Sequence, residues 1–122
     1  MMSDDAREQT VKAYFDGIAA KDMSRVPWAK DATLRTPLNP AGGEGALIRG
    51  RNAILEFFNG ILPAIRGLKF LRFYLGDNGW AAGQVEISLA NGNTLYVLDA
   101  FLIENGEIIE QQNHYDSRAA TG

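Results

Sequence analysis

The sequence contains no cysteine and only a single histidine among its 122 residues. The lack of cysteine excludes disulfides, thiolate metal sites and a cysteine nucleophile, and one histidine cannot supply the histidine sets of many zinc sites. The 12 basic residues are fewer than the 15 acidic ones and too scattered to form a surface for nucleic acid. No apolar run approaches the roughly 18 residues that cross a membrane, and the polar N-terminus does not resemble a signal peptide. These absences predict a cytoplasmic protein with no nucleic-acid partner and no membrane contact.

Apolar residues, by contrast, make up 46% of the chain. That content supports a sizeable core, and we assign residues 1–122 to a single domain. Apolar positions at helical spacing predict a helix from about residue 4 to 20 and a second long helix over 51–65, which Pro63 is expected to kink or end near its C-terminus. A short helical turn is expected between them, at 21–26.

A period-two pattern dominates the second half of the chain and predicts a sheet. The strands are predicted at 31–36, 68–75, 80–89, 94–104 and 107–116. The last two are joined by Asn105-Gly106, a strong hairpin signal. Segment 37–50 is rich in proline and glycine and is predicted to be a loop, whereas 117–122 is expected to fray. Helices followed by antiparallel strands indicate an α+β domain.

Asp99 is a lone carboxylate inside the apolar strand 94–104. An ionised carboxylate there is costly unless it is paired, hydrogen-bonded or neutralised by a raised pKa. Because perturbed ionisable groups cluster at functional sites, Asp99 is the first candidate for a functional group. The alternative is a structural hydrogen bond to the backbone or to a buried tyrosine.

Several segments, in their order and spacing, carry a resemblance to a known superfamily: Tyr14–Asp22, Asp31–Leu34, Ile48–Ile54 with Phe57–Phe58, Asp99–Phe101, Gly106–Ile109 and His114–Asp116. Together they resemble the nuclear transport factor 2-like (NTF2-like) proteins, most of all the SnoaL-like polyketide cyclases and the ketosteroid isomerases. The resemblance implies a cone-shaped barrel, in which a curved antiparallel sheet wraps around about three N-terminal helices and encloses a deep apolar pocket. It also implies a homodimer formed through the outer face of the sheet, with no metal and no cofactor.

The resemblance further implies a pair of oxygen-binding residues. In the isomerase-like branch a tyrosine on the first helix and an aspartic acid on a late strand bind the enolate oxygen, and Tyr14 and Asp99 match these positions. A protonated Asp99 in an apolar site can donate such a hydrogen bond. The proton-shuttling aspartate of that branch corresponds to Thr36, whose hydroxyl is not a base at neutral pH. This departure argues against the usual isomerisation route and leaves Thr36 as a substrate contact.

The missing base has three other candidates. His114 is the chain's single imidazole, a group suited to general acid or base catalysis, although a surface or interface position is its alternative. Strand parity separates His114 from Gln111 and Asn113, and in cyclase-like proteins the positions of the latter two face the pocket. Asn113 is an amide where cyclases often carry an acid, so we expect it to orient the substrate without moving protons. Asp16 and Glu86 are the remaining carboxylates to consider.

Apolar side chains are expected to wall the pocket, although their spacing is equally typical of an ordinary core: Trp28, Phe57, Phe58, Leu62 and Phe101. Arg72 either pairs with Glu86 on the neighbouring strand or clamps a carboxylate substrate. The loop Gly42–Gly45 lacks the pattern of a phosphate cradle and is either a mobile lid or a plain surface loop.

The sequence therefore predicts a small-molecule enzyme of isomerase, cyclase or lyase type that acts on an apolar carbonyl compound. The related limonene epoxide hydrolases use an Asp-Arg-Asp set, which corresponds to Val97, Asp99 and Asn113 here, so epoxide hydrolysis is disfavoured. Two other functions remain open. One is a pocket that binds its ligand without turnover, and the other is a dimeric interaction module.

Overall fold

A computed structural model describes residues 4–39 and 45–121 of the chain. Its helices are α1 (Asp4–Ala20), α2 (Arg51–Ile61) and α3 (Arg118–Thr121), and its strands are β1 (Trp28–Thr36), β2 (Ala46–Arg49), β3 (Ile65–Leu75), β4 (Trp80–Leu89), β5 (Thr94–Glu104) and β6 (Glu107–His114). Apart from Gly45, the predicted lid lies outside the described residues.

The six strands form one sheet in the order β2-β1-β6-β5-β4-β3. β1 runs parallel to β6, and every other neighbouring pair is antiparallel. The hairpin turns contain residues with the positive φ that such turns need, 57° and 88° at Asn78-Gly79 and 51° and 80° at Asn105-Gly106. The α+β prediction and the curved sheet are confirmed.

Helix α1 lies on the inner face of this sheet, against β3 and β4. Gly83 of β4 makes the close approach possible, because a Cβ atom there would clash with the ring of Phe15 and lie 3.1 Å from a methyl group of Val11. A glycine within a strand often marks such a site of close packing. The core between helix and sheet includes these large buried side chains: Trp28, Tyr14, Phe15, Phe58, Phe101, Met23, Leu34, Ile54 and Ile108.

The end of α1 differs from the prediction of a further helical turn over 21–26. Lys21 adopts a φ of 57°, the N–H of Asp22 donates to the carbonyl of Gly17 at 2.9 Å, and the N–H of Lys21 donates to that of Ile18 at 3.1 Å. These two bonds form a Schellman motif, which ends a helix. Residues 21–26 therefore form no helix, although one hydrogen-bonded turn remains in which the N–H of Val26 donates to the carbonyl of Met23 at 3.2 Å. β1 begins at Trp28 instead of residue 31.

Helix α2 is shorter than the predicted 51–65. It ends at Ile61 and passes into a 3-10 turn, Leu62–Ala64, with Pro63 near the start of that turn. Proline has no N–H to donate and its ring clashes with the preceding helical turn, so the α-helix cannot continue through it. Strand β3 consequently begins at Ile65, three positions before the predicted start.

Two other segments also differ from the sequence prediction. Ala46–Arg49 was expected to be part of a loop but forms β2, an edge strand that pairs antiparallel with β1. A strand of four residues is too short to give a recognisable period-two pattern within a segment rich in proline and glycine. The expected frayed tail instead contains α3, whose Ala119 carbonyl accepts hydrogen bonds from the side chains of Asn91 and Asn93 at 3.1 and 3.0 Å.

Candidate functional site

A cavity of about 330 Å³ opens between α1, α2 and the inner face of β4, β5 and β6. This volume is near the lower limit for sites that bind small organic ligands, roughly 300 Å³. Most of its wall is apolar: Ile18, Leu38, Phe58, Gly60, Ile61, Ala64, Ile65, Ile87, Leu89, Ala90, Leu95, Val97 and Ala120. The polar lining residues are Tyr14, Asn91, Asp99, Asn113 and Tyr115.

Strand alternation brings Asp99 and Asn113 into this cavity. On β5 the inward positions include Val97, Asp99 and Phe101, all buried, whereas Leu98 between them is 43% exposed. The antiparallel register places Asp99 directly opposite Asn113 of β6. The Nδ2 group of Asn113 donates to Oδ1 of Asp99 at 2.8 Å. The two residues thus form one polar position in an apolar wall.

Asp99 is 1% exposed, and its burial raises the pKa of the carboxyl from 3.8 to about 7. The cause is desolvation, which disfavours the charged form. Hydrogen bonds from Asn113 and Tyr14 act in the opposite direction and keep the pKa from rising further. Neutral and ionised forms of Asp99 are therefore both populated near neutral pH.

Tyr14 extends from α1 to the same position. Its pKa is raised well above the ordinary value, first by burial and then by the nearby Asp99 carboxyl, while the side-chain amides of Gln111 and Asn113 lower it. The ring contacts Phe58 and Phe101 edge to face, with centroids 5.6 and 5.3 Å away. This packing fixes the ring, so the hydroxyl and the Asp99 carboxyl share one part of the cavity.

Gln111 continues the polar contacts behind Tyr14. It is fully buried, and its Oε1 accepts a hydrogen bond from Nε1 of Trp28 at 2.9 Å. Its Nε2 group is buried and has no hydrogen-bond partner in the described part of the chain. Sequence parity placed Gln111 on the inward face but assigned it no role.

Thr36, at the position of the isomerase base, is buried behind the cavity wall. Its Oγ1 lies 3.3 Å from the hydroxyl of Tyr115, a residue that does line the cavity. Burial raises the pKa of Tyr115, and the contact with Thr36 lowers it. Thr36 therefore contacts a residue that lines the cavity, Tyr115, but does not line the cavity itself. The direct substrate contact expected of Thr36 does not fit this arrangement.

None of the three candidates for the missing base lies in the cavity. His114 is exposed on the outer face of the sheet opposite Leu98, because it follows the inward Asn113 by one position. Asp16 is exposed on α1, and Glu86 lies on the outer face of β4. A proton-transfer role in this cavity therefore does not fit any of them.

Arg72 also differs from expectation. Its partner in the register is Gln84, not Glu86, which lies opposite Lys69. In the part of the chain that the structure describes, Arg72 and Glu86 form no ion pair. Arg72 is exposed on the far side of the sheet from Asp99, so it does not clamp a ligand in the cavity.

Of the five expected wall residues, only Phe58 lines the cavity. Trp28, Leu62 and Phe101 are buried in the core instead. Phe57 is half-buried and lines a separate groove along α2. An apolar side chain is equally at home in a core and in a cavity wall, so the sequence could not separate them.

Some cavity residues were not predicted, although strand parity in the sequence places them on the inward face. Val97 and Leu95 share the strand parity of Asp99, and Tyr115 shares that of Asn113. No sequence pattern places Ile61 and Ala64 in the cavity wall, because their position there depends on where α2 ends.

In residues 4–39 and 45–121 no group of three or more His, Cys, Asp or Glu side chains is placed to hold a metal ion. No helix within those ranges is both long and apolar enough to cross a membrane. The chemistry that the described cavity offers is hydrogen bonding and the gain or loss of one proton at Asp99.

No protein-family model and no curated protein matches the chain in sequence. Solved structures do match in fold. An NTF2-like protein of unknown function from Mesorhizobium loti is 16% identical with a TM-score of 0.77, covering 95% of this chain and 97% of its own. Bal32a, from a soil-derived mobile gene cassette, is 19% identical with a TM-score of 0.80, covering 95% and 94%. A protein of unknown function with a cystatin-like fold from Methylobium petroleophilum is 18% identical with a TM-score of 0.79, covering 95% and 79%. The NTF2-like fold predicted from the sequence is thereby confirmed.

Proposed function

We propose that the cavity binds a small apolar carbonyl compound and stabilises its enolate, as in a SnoaL-like isomerase, cyclase or lyase. The observation that carries this proposal is a buried carboxyl, Asp99, that shares one part of an apolar cavity with the hydroxyl of Tyr14. Hydrogen-bond donors held in a water-poor site stabilise a developing oxyanion far more than donors in water do.

The hydrogen bonding of Asp99 supports the role of a donor. Asn113 Nδ2 donates to Oδ1, so the proton of the neutral carboxyl belongs on Oδ2. A neutral Asp99 and Tyr14 can then both donate to one ligand oxygen. The apolar wall around them favours a ligand whose remaining atoms are hydrocarbon, and a volume of about 330 Å³ favours one or two rings.

Proton transfer in this cavity falls to Asp99 itself. With a pKa raised to about 7 by burial, its carboxylate form can remove a proton next to a carbonyl and return it, while Tyr14 holds the oxygen. During this transfer the ionised Asp99 acts as the base, so Tyr14 alone donates a hydrogen bond to the ligand oxygen. In residues 4–39 and 45–121 it is the only carboxyl that lines the cavity.

Ligand binding without turnover is the second candidate function. It is favoured by a separate observation: Thr36 matches the position of the isomerase base, and no second carboxyl or imidazole among the described residues reaches the cavity. Phenols test ligand binding separately from catalysis, because a phenolate resembles an enolate but cannot react.

The first experiment is a thermal-shift and calorimetric titration with phenols and small cyclic ketones. The wild type is compared with Asp99→Asn, Tyr14→Phe and a matched control on the outer face, His114→Asn. We expect phenols to stabilise the wild type and the control and to bind more weakly to the other two variants. Turnover of cyclic enones, lost in Asp99→Asn, then separates the enzyme from the binding module. Equal phenol binding by all four proteins would overturn the proposed site.

A homodimer through the outer face of the sheet is part of the same proposal. This face carries Tyr96, 71% exposed, with Leu98 and Tyr74 each 43% exposed. Exposed apolar side chains on one sheet face favour a protein contact, and a two-fold pair of identical faces is the simplest one.

A further inference from the structure

We propose that the cavity takes a ligand with two oxygen atoms, because Tyr115 is a second hydrogen-bond donor in its wall and Thr36 positions that donor. The first oxygen is the one held by Tyr14 and Asp99, so this inference rests on the proposed function and narrows its substrate class. The class is a ring carbonyl compound that carries one further carbonyl or hydroxyl group and is otherwise hydrocarbon.

Tyr115 enters the cavity from the chain that follows β6. It lies two positions after Asn113 and continues the inward side of that strand past its last residue, His114. Two residues of extended chain span at most about 7 Å, so a ligand of one or two rings can reach both positions. The hydrogen-bond partners are separate, since Asn113 donates to Asp99 whereas Tyr115 contacts Thr36.

The buried hydroxyl of Thr36 fixes the direction of its contact with Tyr115. Thr36 is 1% exposed, and its Oγ1 accepts from the N–H of Leu38 at 3.4 Å, because an N–H can only donate. In the part of the chain that the structure describes, the other partner of Oγ1 is the Tyr115 hydroxyl at 3.3 Å. A buried hydroxyl proton without an acceptor is costly, so Thr36 donates to the oxygen of Tyr115.

The proton of Tyr115 is consequently left for a ligand. Its oxygen accepts from Thr36, and no acceptor for its own proton lies within hydrogen-bond distance among residues 4–39 and 45–121. The oxygen–oxygen distance of 3.3 Å also exceeds the usual 2.7–2.8 Å or so between hydroxyls, so Thr36 holds the group loosely. A ligand oxygen that accepts from Tyr115 therefore satisfies a donor in a wall that is otherwise mostly apolar.

A simpler role for Tyr115 is to fill the wall and to satisfy the hydroxyl of Thr36. The two roles differ in which ligands bind more weakly when the Tyr115 hydroxyl is removed. A ligand contact affects only ligands with a second oxygen. A purely structural role affects ligands with and without that oxygen alike.

The test measures dissociation constants for the ortho, meta and para isomers of dihydroxybenzene and for the matching methylphenols, in which a methyl group replaces the second hydroxyl. The preference is the methylphenol constant divided by the dihydroxybenzene constant for each isomer. Tyr115→Phe removes the donor and keeps the ring, whereas Thr36→Val removes the directing hydroxyl and keeps the branched shape. Tyr96→Phe, on the outer face and 71% exposed, is the matched control.

We expect Tyr115→Phe to lower the preference about three- to tenfold for at least one isomer, the effect of one hydrogen bond, with methylphenol affinity unchanged. Thr36→Val should lower the same preference by a smaller factor, and Tyr96→Phe should not change it. An unchanged preference in Tyr115→Phe, or equal weakening of every ligand, would overturn the second donor. If Tyr115→Phe does not fold, Thr36→Val decides in its place. An unchanged preference in a folded Thr36→Val would overturn the positioning role of Thr36.

Tyr14→Phe separates this inference from the proposed function. It should weaken methylphenols and dihydroxybenzenes equally, because both place one hydroxyl at Tyr14 and Asp99, and it should leave the preference intact. If neither Tyr14→Phe nor Asp99→Asn changes any affinity, the proposed function fails, whatever Tyr115→Phe shows. If those two variants weaken binding and Tyr115→Phe leaves the preference unchanged, only the second oxygen is refuted.

Discussion

At the scale of single residues, the buried carboxyl of Asp99 makes stability depend on pH. Its pKa is about 7 in the folded chain, against 3.8 when exposed. Between these values the unfolded chain releases the proton and the folded chain keeps it. The free energy of unfolding therefore falls as pH rises through this window and levels off above pH 7. A shift of this size corresponds to about 4 kcal/mol.

Asp99→Asn should remove this pH dependence. The amide oxygen can still accept from Asn113, and no charge is created. We expect the variant to be more stable than the wild type at pH 8, by up to about 4 kcal/mol, with the difference shrinking toward pH 4. Urea unfolding of both proteins at several pH values measures it. Parallel pH profiles would show that Asp99 is not the group responsible.

Gly83→Ala tests the close approach of α1 to β4. The added methyl group would clash with the ring of Phe15 and lie near Val11. Overpacking a tight core costs about 1–3 kcal/mol, so a loss of stability in that range is expected. Gly60→Ala is the control, because a Cβ atom there meets nothing within 4 Å. Similar thermal midpoints for the two variants would contradict this account of the packing.

At the scale of elements, the sequence predicted the hairpin strands best. β4 and β5 combine a clear period of two with Asn-Gly or Asn-Gly-Asn turns, and both were predicted with the bounds that the structure shows. Elements whose limits depend on tertiary contacts were predicted poorly. β2 forms by pairing with the edge of β1. α3 is held by hydrogen bonds from two asparagine side chains that are far from it in sequence.

The attachment of α3 gives a prediction about access to the cavity, since Ala120 forms part of its wall. Asn93→Ala removes one of the two side-chain bonds to the Ala119 carbonyl. Because the contact is exposed, global stability should fall by about 1 kcal/mol or less. We expect faster amide hydrogen exchange at Ala119 and Ala120, measured by NMR, and faster phenol association.

Asn59→Ala, at an exposed position of α2, serves as the comparison for Asn93→Ala. If exchange in α3 is the same in both variants, the side chain of Asn93 does not hold this helix in place.

At the scale of the whole molecule, the sequence anticipated that Tyr14, Asp99 and Asn113 line one cavity but did not identify most of the wall of that cavity. Strand parity was enough to turn Asp99 and Asn113 inward, and resemblance to a known fold brought Tyr14 to them. Whether Phe58 lines the cavity while Phe101 fills the core depends on how α1 and α2 pack against the sheet. No local pattern contains that information.

The proposed homodimer is tested by a charge on the outer face. Leu98→Glu would place a carboxylate in the centre of the exposed apolar side chains, beside Gln84 and His114. We expect a dimer in wild-type sedimentation and a monomer in the variant, because burying an unpaired charge opposes association. Ser88→Glu, exposed near the end of β4, is the control. A wild type that sediments as a monomer would refute the proposal.

The sheet order also governs when the chain can reach its native state during synthesis. β1 is made early, but its parallel neighbour β6 emerges only near the end of the described chain. Tyr14 lies on a helix that precedes the sheet in the chain, so it meets Asp99 and Asn113 only after β5 and β6 have been translated. Contacts between distant segments form slowly. On the ribosome, α1 can therefore pack against β3 and β4 before the Tyr14 end of its contacts is completed by β5 and β6.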